Sequence, residues 1–212
     1  PAVINVMGGG IRSMNDITHI CLFDIPMLCS IPGLIYLAPT TCEEYFAMLA
    51  WAIRQDRKPI ALRVPTGGVV HSDAPVDEDY GYRASYRVAH RGSTVAIIAA
   101  GSFYQKGEAV RALLAEQGID ATLVNPRYLN EVDAETLDSL KPDHRLVVTL
   151  EDGCRDGGFG ERIAAYYGTS DMKVMVGGVK KGLYDRYDAQ QLMADNRLLD
   201  TQIVEDIVRV IG

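Results

Sequence analysis

The chain has 212 residues, long enough to bury a substantial core in one large domain or two small ones. Its formal charge of −7 argues against a nucleic-acid or anionic-membrane surface, since both would need a basic patch. No apolar run approaches the roughly 20 residues of a membrane span, and the start lacks the charged and apolar regions of a signal peptide.

The predicted elements begin almost at once, with an apolar strand over Val3–Met7. The first residue is Pro1 rather than methionine, which raises the expectation that the sequence is a fragment. The glycines Gly8, Gly9 and Gly10 follow, with Asn15-Asp16-Ile17-Thr18-His19 just behind them. Two further strands are expected over Leu34–Leu37 and Pro59–Val64. Between them Thr41-Cys42-Glu43-Glu44 has the spacing of a capping box, and Tyr45, Phe46, Leu49 and Ile53 recur at helical intervals. Arg63 ends the third strand.

From about Thr66 to Arg91 the periodic pattern gives way to glycines, Pro75, the acidic run Asp77-Glu78-Asp79 and scattered tyrosines. It reads as a linker with a solvated acidic face, ending in a short strand over Tyr86–Ala89. The pattern then restarts: a strand over Thr94–Ala99, a Gly101-Ser102 turn, and a helix over Phe103–Gln117 with Ala109, Leu113 and Leu114 inward and Gly118 closing it. Strands at Ala121–Val124, Arg145–Leu150 and Lys173–Val176 alternate with a short helix after Asp133 and a helix opened by Gly157-Gly158-Phe159-Gly160. Two helices, over Ala189–Ala194 and Thr201–Val210, finish the chain.

Strand and helix in alternation mean an α/β fold with parallel sheets. The second half reads as a complete βα domain. Three parallel strands in the first half would leave open edges, so that half needs further sequence or a partner.

The four cysteines, Cys21, Cys29, Cys42 and Cys154, form no CxxC pair and have no histidine at zinc-ligand spacing, so they read as reduced cytoplasmic thiols with no metal site. His71, His90 and His144 fall in linker or strand-edge contexts and read as structural. Gly8-Gly9-Gly10 suits either backbone approach to an anion or a plain turn. The glycines of 157–160 invite a phosphate at a helix start but are assigned to close packing or a subunit interface.

The order of landmarks resembles the transketolase family of thiamine-diphosphate enzymes, and within it the 1-deoxy-D-xylulose-5-phosphate synthase branch. The residues that carry the resemblance are Asn15–His19, Phe23-Asp24-Ile25, Ile31-Pro32, Ala38-Pro39 and Arg63-Val64-Pro65-Thr66-Gly67. They continue with Asn125-Pro126-Arg127-Tyr128 through Val132-Asp133, and with Glu151-Asp152-Gly153 before Gly157-Gly158-Phe159-Gly160. The resemblance implies that residues 1–66 are the second half of a pyrimidine-binding domain, 67–85 a linker and 86–212 a transketolase C-terminal-type domain. It implies a two-carbon transfer from a keto donor, pyruvate or a ketose phosphate, to an aldehyde phosphate.

Thiamine diphosphate and magnesium would belong to the intact enzyme. The portion that would hold them lies upstream, so none is expected on this chain, and the isolated chain is expected to be inactive. The resemblance also implies a homodimer.

By the same resemblance His19 would move a proton at the substrate oxygen, a task suited to imidazole; the alternative is a histidine bonded within a turn. Asn15 stands where the family has an aspartate, and its amide would touch a substrate hydroxyl without carrying charge. Arg63 would hold the anionic end of the substrate; alternatively it is an arginine paired to an acidic neighbour at a strand end. Thr66 replaces the second arginine of the family's strand-end element, and Arg12 is near, but out of register with, another. A 2-oxoacid dehydrogenase β subunit and a non-catalytic dimerisation scaffold are the competing readings.

Overall fold

The structure is a computed structural model that describes residues 1–212 apart from Ser13, Met14, Thr18, Ile20, Pro65, Thr66, Gly67 and Val69. The first sheet is built from β1 (Val3–Val6), β2 (Ile35–Leu37) and β3 (Ile60–Arg63), interleaved with α1 (Asp24–Cys29) and α2 (Cys42–Arg54). All three strands run parallel in the order β1-β3-β2, with Val3 and Ile35 flanking Ile60. Every residue of β2 and β3 is buried, as expected of parallel strands covered on both faces. At the edge β1 differs: Val3 and Ile4 are 37% and 43% exposed.

α2 starts at the expected N-cap, with the Thr41 side chain accepting from Glu44 N at 3.2 Å, but the reciprocal bond of a capping box is replaced by one from Thr40 N to the Glu44 carboxylate. Its inner face departs from the expected stripe. Met48, Trp51 and Ala52 are buried, whereas Phe46 and Ile53 are 60% and 67% exposed. The helix is apolar on both sides, and Glu44 sets its rotation: the buried carboxylate accepts from Thr40 N at 2.7 Å and Asn125 Nδ2 at 2.9 Å.

The second sheet has the order β4-β6-β5-β7-β8, from β4 (Arg87–His90), β5 (Thr94–Ala99), β6 (Thr122–Asn125), β7 (His144–Cys154) and β8 (Lys173–Val179). It is parallel except for β4, which pairs antiparallel to β6. The helices are α3 (Tyr104–Glu116), α4 (Ala134–Leu140), α5 (Phe159–Tyr167), α6 (Ala189–Asp195) and α7 (Asp200–Ile211). Val110 and Leu114 of α3 are buried as a stripe with Gly107, where an added Cβ would lie 2.8 Å from that of Ala99. Gly118 ends the helix at φ +78°, donating to Ala115 O at 3.0 Å.

Two expectations need amendment. β7 extends well past Leu150, through a register shift, and carries Glu151 and Asp152 inside the sheet, both buried. Residues 70–86 contain no helix or strand, yet they are fastened to the body. Tyr80 is buried against Trp51 with ring centroids 6.2 Å apart, Arg54 donates to Glu78 O at 2.8 Å, and Asp77 of the acidic run is ion-paired with Arg127.

The two sheets share one core. Residues 127–130 run along β2: Ala38 N donates to Arg127 O at 2.7 Å, and Leu129 N donates to Tyr36 O at 2.9 Å. Tyr36, Trp51 and Leu62 of the first unit belong to the same buried cluster as Ile98, Val147 and Phe159 of the second. No helix among the described residues is long and apolar enough to cross a membrane.

Candidate functional site

Parallel sheets present ligands beyond the carboxyl ends of their strands, and Arg63 is the last residue of β3. Its side chain turns inward. Only 5% exposed, Arg63 donates from Nε to Asp24 Oδ2 at 2.7 Å and from Nη2 to Asp24 Oδ1 at 3.2 Å, while Nη1 is paired with Asp152. Tyr36 OH donates to Asp24 Oδ2 at 2.6 Å, and Ser102 Oγ donates to the second oxygen of Asp152. All four carboxylate oxygens therefore accept a hydrogen bond. Burial opposes the charged guanidinium, but Asp152 and Asp24 override it and hold Arg63 far above its ordinary range. A substrate anion could reach this arginine only by displacing one of its carboxylates.

The triad explains the glycine run. A Cβ on Gly9 would lie 2.9 Å from Arg63 Nε, and one on Gly10, at φ +98°, would overlap the Asp152 carboxylate. Bare backbone is required there so that the chain can close over the charges. Gly10 N donates to Cys21 O at 3.0 Å, Ile11 N to Asp152 O at 3.0 Å and Cys154 N to Leu22 O at 2.7 Å. The loop that bears Asn15 and His19 thus leaves and re-enters the body beside Asp152.

Residues 185–187 fasten the same loop from its other side. Asn15 Nδ2 donates to Tyr187 O at 3.0 Å, Arg186 N to Asn15 O at 2.6 Å, and Ile17 N to Asp185 Oδ1 at 3.2 Å. Tyr187 OH donates to Ile11 O at 2.8 Å. Asn15 and His19 are both exposed, and His19 N donates to Asp16 O at 2.9 Å. Of the two landmarks that flank the site, Thr18 of one and Pro65, Thr66 and Gly67 of the other lie outside the described residues. The structure brings Asn15 and His19 together on one anchored surface loop and places Arg63 beneath it.

Arg12 is exposed on this loop and lines a cavity of about 240 Å³ with Thr40, Ser102, Lys106 and Asp200. Lys106 Nζ is 2.5 Å from Asp200 Oδ1. The cavity adjoins the triad through Ser102. A larger cavity of about 790 Å³ lies at the opposite, amino-terminal end of β7, lined by His144, Arg145 and the end of α7. There His144 is bonded to Thr122 Oγ1 at 2.8 Å and Leu140 O at 3.0 Å. That end of a parallel sheet offers no convergent strand termini to a ligand.

Glu151 is the neighbour of Asp152 and is fully buried. Its carboxylate accepts from Phe159 N at 3.1 Å and Gly160 N at 2.8 Å, so the helix start that might bind a phosphate is already occupied. A Cβ on Gly158 would lie 2.6 Å from that carboxylate, which accounts for the glycine. Burial pushes Glu151 up to about 8, against the pull of these amides and of Arg63.

Asp24, Asp152, Tyr36, Ser102 and Tyr187 are the residues that sequence reasoning missed as site partners. Asp24 and Asp152 stand inside quoted landmarks, Phe23-Asp24-Ile25 and Glu151-Asp152-Gly153, so a signal was present. Nothing in the spacing of residues 24, 63 and 152 says that they meet.

Residues 6–69 match the family "Transketolase, pyrimidine binding domain" and residues 84–195 match "Transketolase, C-terminal domain". The 1-deoxy-D-xylulose-5-phosphate synthase of Clostridium acetobutylicum is 33% identical over 190 residues, covering 88% of this chain and 30% of the relative. That of Crocosphaera subtropica is 33% identical over 203 residues, covering 93% of this chain and 32% of the relative. The chain therefore spans about a third of the length of these relatives. Among solved structures, a split-gene transketolase described as an inactive β4 tetramer superposes with a TM-score of 0.83 at 21% identity, covering 99% of this chain and 66% of that one. A Pichia stipitis transketolase complex with sedoheptulose-7-phosphate gives 0.72 at 14% identity, covering 96% of this chain and 29% of that one. At these identities the structures speak for the fold.

Proposed function

The chain belongs to the transketolase family, and from that premise we propose that it is the C-terminal portion of a thiamine-diphosphate-dependent transferase. The intact enzyme moves a two-carbon unit from a keto donor to an aldehyde phosphate, in the manner of the 1-deoxy-D-xylulose-5-phosphate synthases it is similar to. The observation that carries this reading is the succession of both transketolase units along one chain that spans only about 30% of such a relative.

The residues present do not fit the cofactor by themselves. Among the described residues the buried carboxylates are Asp24, Glu44, Glu151, Asp152 and Asp206. Arg63 holds Asp24 and Asp152, Thr40 and Asn125 hold Glu44, the α5 amides hold Glu151, and Arg197 and Arg209 hold Asp206. None is left to bind magnesium or an aminopyrimidine. Thiamine diphosphate and magnesium are assigned to the rest of the enzyme.

Within that assembly Asn15 and His19 face the phosphorylated substrate. Asn15 bonds a substrate hydroxyl, and His19 moves a proton at the substrate oxygen. Arg63 is a positioning residue that fixes the base of their loop. The exposed apolar edge of β1, with Val3, Ile4 and the 74% exposed Met7, is where the remaining strands of the pyrimidine-binding sheet add. The complete enzyme is a cytoplasmic homodimer.

The test mixes the purified chain with a separately produced N-terminal portion, thiamine diphosphate and magnesium, and follows carboligation of pyruvate with an aldehyde phosphate. Activity is expected only after mixing. Turnover by this chain alone would overturn the reading.

A further inference from the structure

A second cluster of reactive side chains lies at the start of α2, outside the loop already described. Cys42 and Glu43 are the first two residues of the helix, and the segment around Val70 lies across them. Cys42 N donates to Val70 O at 2.8 Å, which fixes the register of the two segments. Ser72 N donates to Glu43 Oε2 at 3.0 Å, and His71 Nδ1 is 2.7 Å from Glu43 Oε1. As a result Cys42 Sγ, a Glu43 oxygen and a His71 ring nitrogen all lie within 4.8 Å of one another.

We propose that Cys42, Glu43 and His71 bind a single divalent transition ion of the zinc class, with the remaining coordination position open to water. The donor set selects the metal. Thiolate and imidazole exclude magnesium and calcium, which take oxygen ligands, and suit zinc or a neighbouring first-row ion. Bonds of about 2.0–2.3 Å in a tetrahedral site put the donors roughly 3.5 Å apart. Donors as far apart as 4.8 Å must therefore close by about an ångström, while the His71–Glu43 pair, 2.7 Å apart, must open by nearly as much. Two of its members can move that far, since the His71 and Glu43 side chains are 70% and 38% exposed.

The surroundings are those of a ligand set. Ser72 N–H holds the second oxygen of Glu43 and so orients the carboxylate, the role that outer-shell donors take around metals. Cys42 is the first residue of α2, and an ion bound there would displace the proton of its thiol. Two anionic ligands offset the ion's charge there. Bound there, the ion would tie residues 70–72 to the start of α2. The inference stands independently of the transferase reading, because it uses none of that site's residues.

The experiment titrates the metal-stripped 212-residue chain, under a non-thiol reductant, with cobalt(II) by absorption and with zinc(II) by calorimetry. One equivalent is expected, with a thiolate-to-cobalt charge-transfer band that Cys42→Ser abolishes. His71→Ala and Glu43→Gln should each weaken binding by about tenfold or more. Circular dichroism should be unchanged in all three variants, and His71→Gln repeats the test should His71→Ala disturb the fold. Absence of binding would overturn the proposal. So would a cobalt band that persists in Cys42→Ser, since it would belong to Cys21, Cys29 or Cys154.

Discussion

Arg63 at the end of β3 is ion-paired with Asp152 of β7, so the two sheets of the chain are joined through one buried charge cluster. Asp24 completes it from α1 at 2.7 Å. Two carboxylates and one guanidinium carry a net negative charge with almost no water, which makes the arginine indispensable to the other two.

Removing Arg63 should therefore be severe. Arg63→Met leaves two buried carboxylates uncompensated and is expected to destabilise the chain by about 3–5 kcal/mol, read by urea denaturation. Adding Asp24→Asn and Asp152→Asn to that variant should recover part of the loss, because the uncompensated charge is gone. Arg63→Lys keeps the charge but not the planar fork, and should fall between wild type and Arg63→Met. Equal stability of Arg63→Met and wild type would rule out the lock.

Gly10 and Gly33 form a matched pair of tests. Both have positive φ, +98° and +79°, but a Cβ on Gly10 would overlap Asp152 whereas one on Gly33 meets nothing within 4 Å. Gly33→Ala should cost only the backbone strain, about 1 kcal/mol. Gly10→Ala should cost clearly more, with the difference measured by chemical denaturation under one set of conditions.

The pH dependence of stability should show Glu151. Burial raises its folded value from 4.5 to about 8, so between those limits the folded chain keeps a proton that the unfolded chain has lost. The associated stability is fully present below pH 4.5 and is lost as pH rises towards about 8. The slope is at most about 1.4 kcal/mol per pH unit. Glu151→Gln removes the titrating group while keeping an acceptor for the α5 amides. Its melting temperature should fall less than that of wild type across this window.

Asn15 and His19 should behave in the opposite way to Arg63. Both are exposed, so alanine at either position should cost far less than Arg63→Met, about 1 kcal/mol at Asn15 for its bond to Tyr187 O and a similar amount or less at His19. In the assembled enzyme His19→Ala is expected to lower kcat by about 10²-fold or more, the usual scale of a lost proton transfer. Unchanged turnover would remove His19 from the chemistry.

The sequence was informative where local rules act alone. Thr41 caps α2 as read, the short helix begins after Asp133 as expected, and Gly118 ends α3. Strand positions followed from apolar runs, because buried parallel strands tolerate little else. The face of α2 was not legible. Phe46 and Ile53 fit the helical period as well as Met48 and Trp51 do, and only tertiary partners, those of Glu44 and Trp51 among them, decide the rotation.

Composition, periodicity and motif order by themselves determined the α/β class, the three parallel strands of the first sheet and the resemblance to transketolases. These are properties of short windows and of their succession along the chain. Tertiary structure alone decided what Arg63 and His71 meet. Arg63 at a strand end fits an anion hook or an ion pair equally well, and the choice depends on Asp152, 89 positions away, being carried to it by β7. His71 has no zinc-ligand spacing from any cysteine along the chain, yet folding sets it beside Cys42 and Glu43. Sequence distance carries no information about such meetings, because they depend on how distant segments pack in three dimensions.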